Sequence, residues 1–183
     1  PENTASVVRA YLEHKFYGKE ELSKWYYLGP MFRYEAPQKG RSRQFHQYGA
    51  EAIGSKDPAL DAEMIGLSVD LLRSLGLKDV GLTLNRIGCP EYREDYVDQL
   101  VDYLTPKKDR LCSDCRARLE TNPLRILDCK EETCQSLVAD GPEITNYLCS
   151  ECQDHFDQVR KFLDDLDLNY ELDARLVRGL DYY

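Results

Sequence analysis

An aromatic and apolar stretch from Lys24 to Arg33 and an alternating one from Gln44 to Ile53 flank the polar run Ala36-Pro37-Gln38-Lys39-Gly40-Arg41-Ser42-Arg43, and this arrangement constrains the fold more than any other feature. Successive strand residues face opposite sides, and Pro and Gly interrupt the pattern, so the spacing predicts two antiparallel strands joined by a long basic loop. Period two puts Arg33 and Glu35 on one face of the first strand and Phe45, Gln47 and Glu51 on one face of the second. If those faces coincide, one wall offers a guanidinium, an aromatic plate, an amide and two carboxylates. Such a wall suits a nucleotide and a small zwitterion, because the planar guanidinium grips phosphate oxygens and a ring stacks on a purine. The competing reading is a polar strand face that is merely solvated, which composition alone favours.

The rest of the chain builds around that hairpin. Val7, Val8, Tyr11 and Leu12 recur at helical spacing behind Thr4, which predicts a helix to about His14 with Thr4 as its N-cap. Asp57 and Pro58 form a second helix start, and Leu60, Met64, Leu67 and Leu71 continue it until Gly76. Val80, Leu82 and Leu84 alternate and predict one more strand before Gly88 and Pro90. Together these pieces predict an α+β core on an antiparallel sheet. From Tyr92 to about Leu168 strand patterns vanish while charges and cysteines rise, with Phe156, Val159, Leu163 and Leu166 marking a last amphipathic helix. Tyr170 to Leu172 is short and β-like and should lead the chain back to the sheet. The expected organisation is a core over 1–91, a helical cysteine-rich insertion over 92–168, and a return to the core over 169–183.

A chain of 183 residues can hold one core and a small satellite. It has no apolar run near the ~20 residues a membrane span needs, and no basic-then-apolar leader, so a cytoplasmic protein is expected. It begins at Pro1 and reads as a piece of something longer. The net charge of -9 repels phosphate backbones, so any nucleic-acid contact must come from a local patch such as Lys39, Arg41 and Arg43. That patch is either a solvated hairpin tip or the place where triphosphate and RNA phosphates bind. Seven cysteines without a leader point to a reducing compartment, where pairs bind metal or stay as thiols. Cys112-x-x-Cys115 and Cys149-x-x-Cys152 have the form of knuckles for a structural Zn²⁺, with Cys129 and Cys134 as further candidates, although thiols packed in a small helical core explain them as well.

The order of residues decides between a solvated hairpin and a binding one. Pro1-Glu2-Asn3-Thr4-Ala5, the segment from Gly29 to Glu51 with Arg43-Gln44-Phe45-His46-Gln47, and Leu176-Val177-Arg178-Gly179-Leu180-Asp181-Tyr182-Tyr183 together resemble the histidyl-tRNA synthetases. The hairpin resembles motif 2 of the class II aminoacyl-tRNA synthetases. The resemblance implies a histidine-tRNA ligase that uses ATP and Mg²⁺, takes L-histidine and tRNA(His), and is a homodimer at full length, with no membrane partner. It further implies roles for single residues. Arg33 and Arg178 would meet the α-phosphate, and Glu35 would lie near the adenine or the tRNA end. Phe45 would stack on the adenine, and Arg41 would lie on the ATP side. Glu2, Thr4 and Gln47 would hold the ammonium and carboxylate of histidine, and Glu51, Tyr182 and Tyr183 its imidazole side. Arg33, Arg178 and Gln47 make up the expected catalytic set.

Charge building on the α-phosphate during adenylation is what two fixed guanidiniums would stabilise, and no protein nucleophile is required. Two departures bear on this. Asn3 stands where the family often has Gly, and Asn tolerates left-handed backbone better than most residues. Arg178 and Tyr183 would face opposite ways on a straight strand, so both roles require Gly179 to turn the chain. The rival reading is a non-catalytic, histidine-sensing regulatory paralogue of the type attached to ATP phosphoribosyltransferase, which needs only the amino-acid pocket.

Overall fold

Burial alternates residue by residue along the first predicted strand and over Gln44 to Gly49 of the second. In a computed structural model that describes residues 3–19, 21–34 and 38–177, strand β1 spans Ser23–Phe32 and β2 spans Gln44–Ile53, antiparallel from Ser23↔Ile53 to Phe32↔Gln44. Residues directly opposite in such a pair share a face, so the register places Trp25, Met31, Phe45, Gln47 and Glu51 on one side. The Arg33 amide extends the ladder by donating to the Arg43 carbonyl at 2.8 Å.

Helix α1, Thr4–Glu13, is anchored to the end of the hairpin far from its loop. Its buried Tyr11 meets Trp25 edge-on at 5.8 Å, and Phe16, in a short 3-10 turn, meets Trp25 at 4.7 Å. The predicted cap is displaced by one residue. Asn3 holds the N-cap position and Thr4 is the first helical residue, its hydroxyl donating to Glu51 Oε1 at 2.7 Å. Asn3 has φ −112°, so its position does not require glycine's left-handed freedom.

Helix α2, Pro58–Ser74, starts where expected, with Asp57 Oδ1 accepting from the Ala59 amide at 2.9 Å. Between β2 and α2 the chain turns at Gly54, whose φ of +117° L-residues rarely adopt, and a Cβ there would fall on the Glu21 carbonyl oxygen. Gly54→Ala should therefore cost about 1–3 kcal/mol from backbone conformation alone, with the collision adding to it. Denaturation followed by fluorescence of Trp25, the one tryptophan, would report this, and an unchanged midpoint would contradict it.

The chain divides into two compact units, residues 1–68 and 69–183. In the second, the expected strand at Val80–Leu84 shrinks to β3, Thr83–Leu84, and its partner is parallel: β4, Glu171–Leu172. The Leu82 and Leu84 carbonyls accept from the Glu171 and Asp173 amides at 2.9 and 3.1 Å. Between these strands lie α3 (Pro90–Leu104), α4 (Ser113–Thr121), α5 (Glu132–Ala139) and α6 (Ser150–Asp165). The core of this unit is made of Tyr96, Leu100 and Leu104 from α3, spaced four apart on one face, with Leu111, Ile126 and Ile144 from the connections. On α6, Phe156, Val159 and Leu163 are buried as expected, but Leu166 is the C-cap residue and 54% exposed. Among the described residues no helix is long and apolar enough to cross a membrane.

Candidate active site and cysteine clusters

The hairpin register joins the two faces that the sequence left separate. Arg33, one step beyond the last named pair, lies diagonally across from Phe45, and its guanidinium carbon sits 4.5 Å from the Phe45 ring centroid. The Arg33 Nε donates to the Ser42 carbonyl at 2.9 Å, which orients the fork from behind. In this position the guanidinium covers one face of the Phe45 ring. At the tip, Gln38 and Arg41 exchange backbone hydrogen bonds of 3.1 and 2.8 Å around Lys39-Gly40, and Arg43 lies 5.9 Å from the Tyr34 ring centroid. The basic loop is thus a tight two-residue turn at its end, with exposed Lys39, Arg41 and Arg43 along it.

Further along the same face, the Gln47 side-chain oxygen is buried and has no hydrogen-bond partner among the described residues. An unpaired buried carbonyl costs about 1–3 kcal/mol, so such an atom commonly marks where a ligand's donor belongs. Beyond it, Glu51 accepts the Thr4 hydroxyl, which fixes the carboxylate against α1. The face thus runs from a guanidinium, through a ring and an orphan acceptor, to a carboxylate. Tyr27 and Gly49 pair between these groups, and a Cβ on Gly49 would collide with the Tyr27 ring. Glycine therefore lets Tyr27 lie flat across the face, a feature the sequence reading missed and for which the bare glycine in a strand was the available signal. Glu2, Glu35, Arg178, Tyr182 and Tyr183 lie outside the described residues, as does the expected turn at Gly179.

The cysteines form two groups, and the two knuckles are not brought together as one set. Cys112 and Cys115 gather with Cys129 and Cys134, all four sulfurs within 4.8 Å of one another, while Cys149 and Cys152 gather with Cys89. Both knuckles are built alike. Cys112 caps α4 and Cys149 caps α6, and each sulfur accepts from the amide three residues on at 3.4 Å. The Cys115 amide holds the Cys112 thiol below its ordinary range, whereas burial pushes the Cys115 thiol up. Burial also pushes the Cys152 thiol up, but Arg86, 3.6 Å away, helps to outweigh that and lower it. Neither Cys89 nor Arg86 was among the sequence candidates; Cys89 could have been noticed as the residue capping a helix that begins with Pro90.

Comparison with known proteins gives the family. The model of the family described as histidyl-tRNA synthetase matches residues 1–104. The histidine-tRNA ligases of Halothermothrix orenii and Syntrophotalea carbinolica are 59% and 51% identical over the whole chain, which spans 44% of each. The crystal structure of apo histidyl-tRNA synthetase from S. aureus is similar with a TM-score of 0.75 and 42% identity, covering 100% of this chain and 42% of that one. The fold is that of an α+β class II synthetase fragment. The chain belongs to the histidyl-tRNA synthetase family and spans less than half the length of the curated relatives it matches.

Proposed function

We propose that this chain is part of the catalytic domain of a cytoplasmic, homodimeric histidine-tRNA ligase, and that the hairpin face is its site for histidine and ATP. One observation carries the reading: a single register puts Arg33, Phe45, the unpartnered Gln47 oxygen and Glu51 on one face. ATP binding exchanges the contact between Arg33 and Phe45 for two better ones, adenine on the ring and guanidinium on the α-phosphate. The Gln47 oxygen accepts from the histidine ammonium, and Glu51, held by Thr4, takes the imidazole. A histidine carboxylate oxygen then bonds to the α-phosphorus as the bond to the bridging oxygen breaks and pyrophosphate leaves. A ribose hydroxyl of tRNA(His) next attacks the acyl carbon and releases AMP.

Arg33 and Arg178 stabilise the charge that grows on the α-phosphate, with Arg178, Glu2, Glu35, Tyr182 and Tyr183 assigned by family resemblance. Arg41 lies on the triphosphate side of the same reading. The Mg²⁺ that accompanies ATP is a hard cation that would be held largely by triphosphate oxygens and water. Zinc in the cysteine-rich part would take no share in this chemistry, because four thiolates leave no open coordination position. The part of the chain over 92–168 is an insertion into the catalytic core, which 1–91 and 169–183 build.

Relatives 51–59% identical carry the name histidine-tRNA ligase, which favours an enzyme over a histidine-sensing regulator. The test is calorimetric titration of the full-length protein with a non-hydrolysable histidyl-adenylate analogue, with histidine and with ATP. The analogue should bind well above either half. Gln47→Ala should weaken histidine and analogue alike by about tenfold or more, the cost of one hydrogen bond to a charged group, and leave ATP unchanged. Histidine binding with no gain from the adenylate would favour the sensor.

A further inference from the structure

We propose that Cys112, Cys115, Cys129 and Cys134 form a closed four-thiolate zinc site that staples the cysteine-rich unit, and that the Cys89 group is not part of it. The distances decide the chemistry. A tetrahedral site with Zn–S of about 2.3 Å has sulfur-to-sulfur edges of about 3.8 Å. Cys112 and Cys129 stand 3.9 Å apart, and all four sulfurs lie within 4.8 Å of one another. A disulfide needs about 2.05 Å, so neither 112–129 nor the group as a whole is arranged as bonded pairs.

Packed neutral thiols are the alternative, since Cys115 and Cys134 are fully buried and Cys129 nearly so. Apolar packing does not call for donors aimed at sulfur, and this group has several. The Cys115 amide points at the Cys112 sulfur, the Cys112 amide at the Cys134 sulfur at 3.3 Å, and the Arg118 guanidinium lies 3.9 Å from the Cys115 sulfur. Such donors stabilise thiolates, and they are the outer shell that thiolate-bound zinc requires. Four thiolates around one Zn²⁺ carry excess negative charge, which Arg118 offsets.

The site ties together the start of α4, the turn at Cys129 and the buried face of α5. In the described residues the Cys89, Cys149 and Cys152 group has no fourth ligand, and it is one short of the closed set that structural zinc takes. A closed site makes the metal structural, so its removal costs folding and not chemistry.

The full-length protein, purified without chelator, should carry zinc whose X-ray absorption fits four sulfur neighbours at about 2.3 Å. Cys134→Ser should lose that metal, and Cys149→Ser should keep it. Cobalt in place of zinc should give the strong thiolate charge-transfer bands of a tetrahedral site, a reading that needs no variant and survives if Cys134→Ser fails to fold. Absence of metal, fewer than four sulfur neighbours, a disulfide among these cysteines, or metal lost from Cys149→Ser but kept in Cys134→Ser would each overturn the assignment.

Discussion

Arg33→Ala in the full-length protein should slow histidine-dependent exchange of pyrophosphate into ATP by about 10²–10³-fold, the usual loss when one preorganised donor to a developing charge is removed. The expectation rests on how the side chain is held. Its Nε is tied to the Ser42 carbonyl, so the guanidinium is oriented from behind before substrate arrives. Preorganisation of that kind acts on the transition state more than on binding, so the fall should appear mainly in kcat. Arg33→Lys should recover little, because an ammonium cannot both reach the carbonyl and present a planar fork. A variant with unchanged kcat and a raised KM would show that Arg33 only binds ATP.

The second large effect concerns the other unit. Tyr96 on α3 is 1% exposed and meets Tyr147 at a centroid distance of 5.5 Å. Tyr96→Ala should destabilise this unit by about 3–5 kcal/mol, as truncation of a buried aromatic does. That is a large part of what a domain has to lose. Tyr96→Phe separates packing from the hydroxyl. Burial first, and then the nearby Tyr147 and Glu143, push the Tyr96 phenol up to about 12 from its ordinary 10.0. The folded form therefore keeps a proton that the unfolded form has released, and stability that is complete below pH 10 should fall as the pH rises toward about 12. Tyr96→Phe should flatten that alkaline decline while costing little near neutrality. Calorimetric or circular-dichroism unfolding across this range measures both, and an equally steep decline in Tyr96→Phe would remove the phenol as its cause.

The hairpin is legible because everything that specifies it is local: an aromatic and apolar stretch on one side, alternation on the other, and a polar run with Pro and Gly between them. Its register is not, and register is what unites Arg33 with Phe45 and leaves the Gln47 oxygen orphaned on the same face. Thr4 shows the limit of reading caps from sequence, since Asn3 takes the cap position and the Thr4 hydroxyl reaches a carboxylate far along the chain. The strand expected from Val80 to Leu84 shortens to Thr83–Leu84 because its partner, 88 residues on, offers only Glu171 and Leu172, and local alternation does not report how long a partner is. The two Cys-x-x-Cys knuckles were visible, but their partners were not. Spacing reports which sulfurs share a turn, and only the folded chain reports that Cys129 and Cys134 join one pair and Cys89 the other.

The parallel pair β3 and β4 sets Leu84 beside Leu172, and just past it the Asn85 amide donates to the Ala174 and Leu176 carbonyls at 3.2 and 2.9 Å. Departure and arrival of the intervening chain therefore belong to one strand pair. Because the pair is parallel, the outgoing backbone leaves at one end of it and the incoming backbone enters at the other, so whatever lies between them has to be a crossover of about a dozen residues or more and not a tight turn.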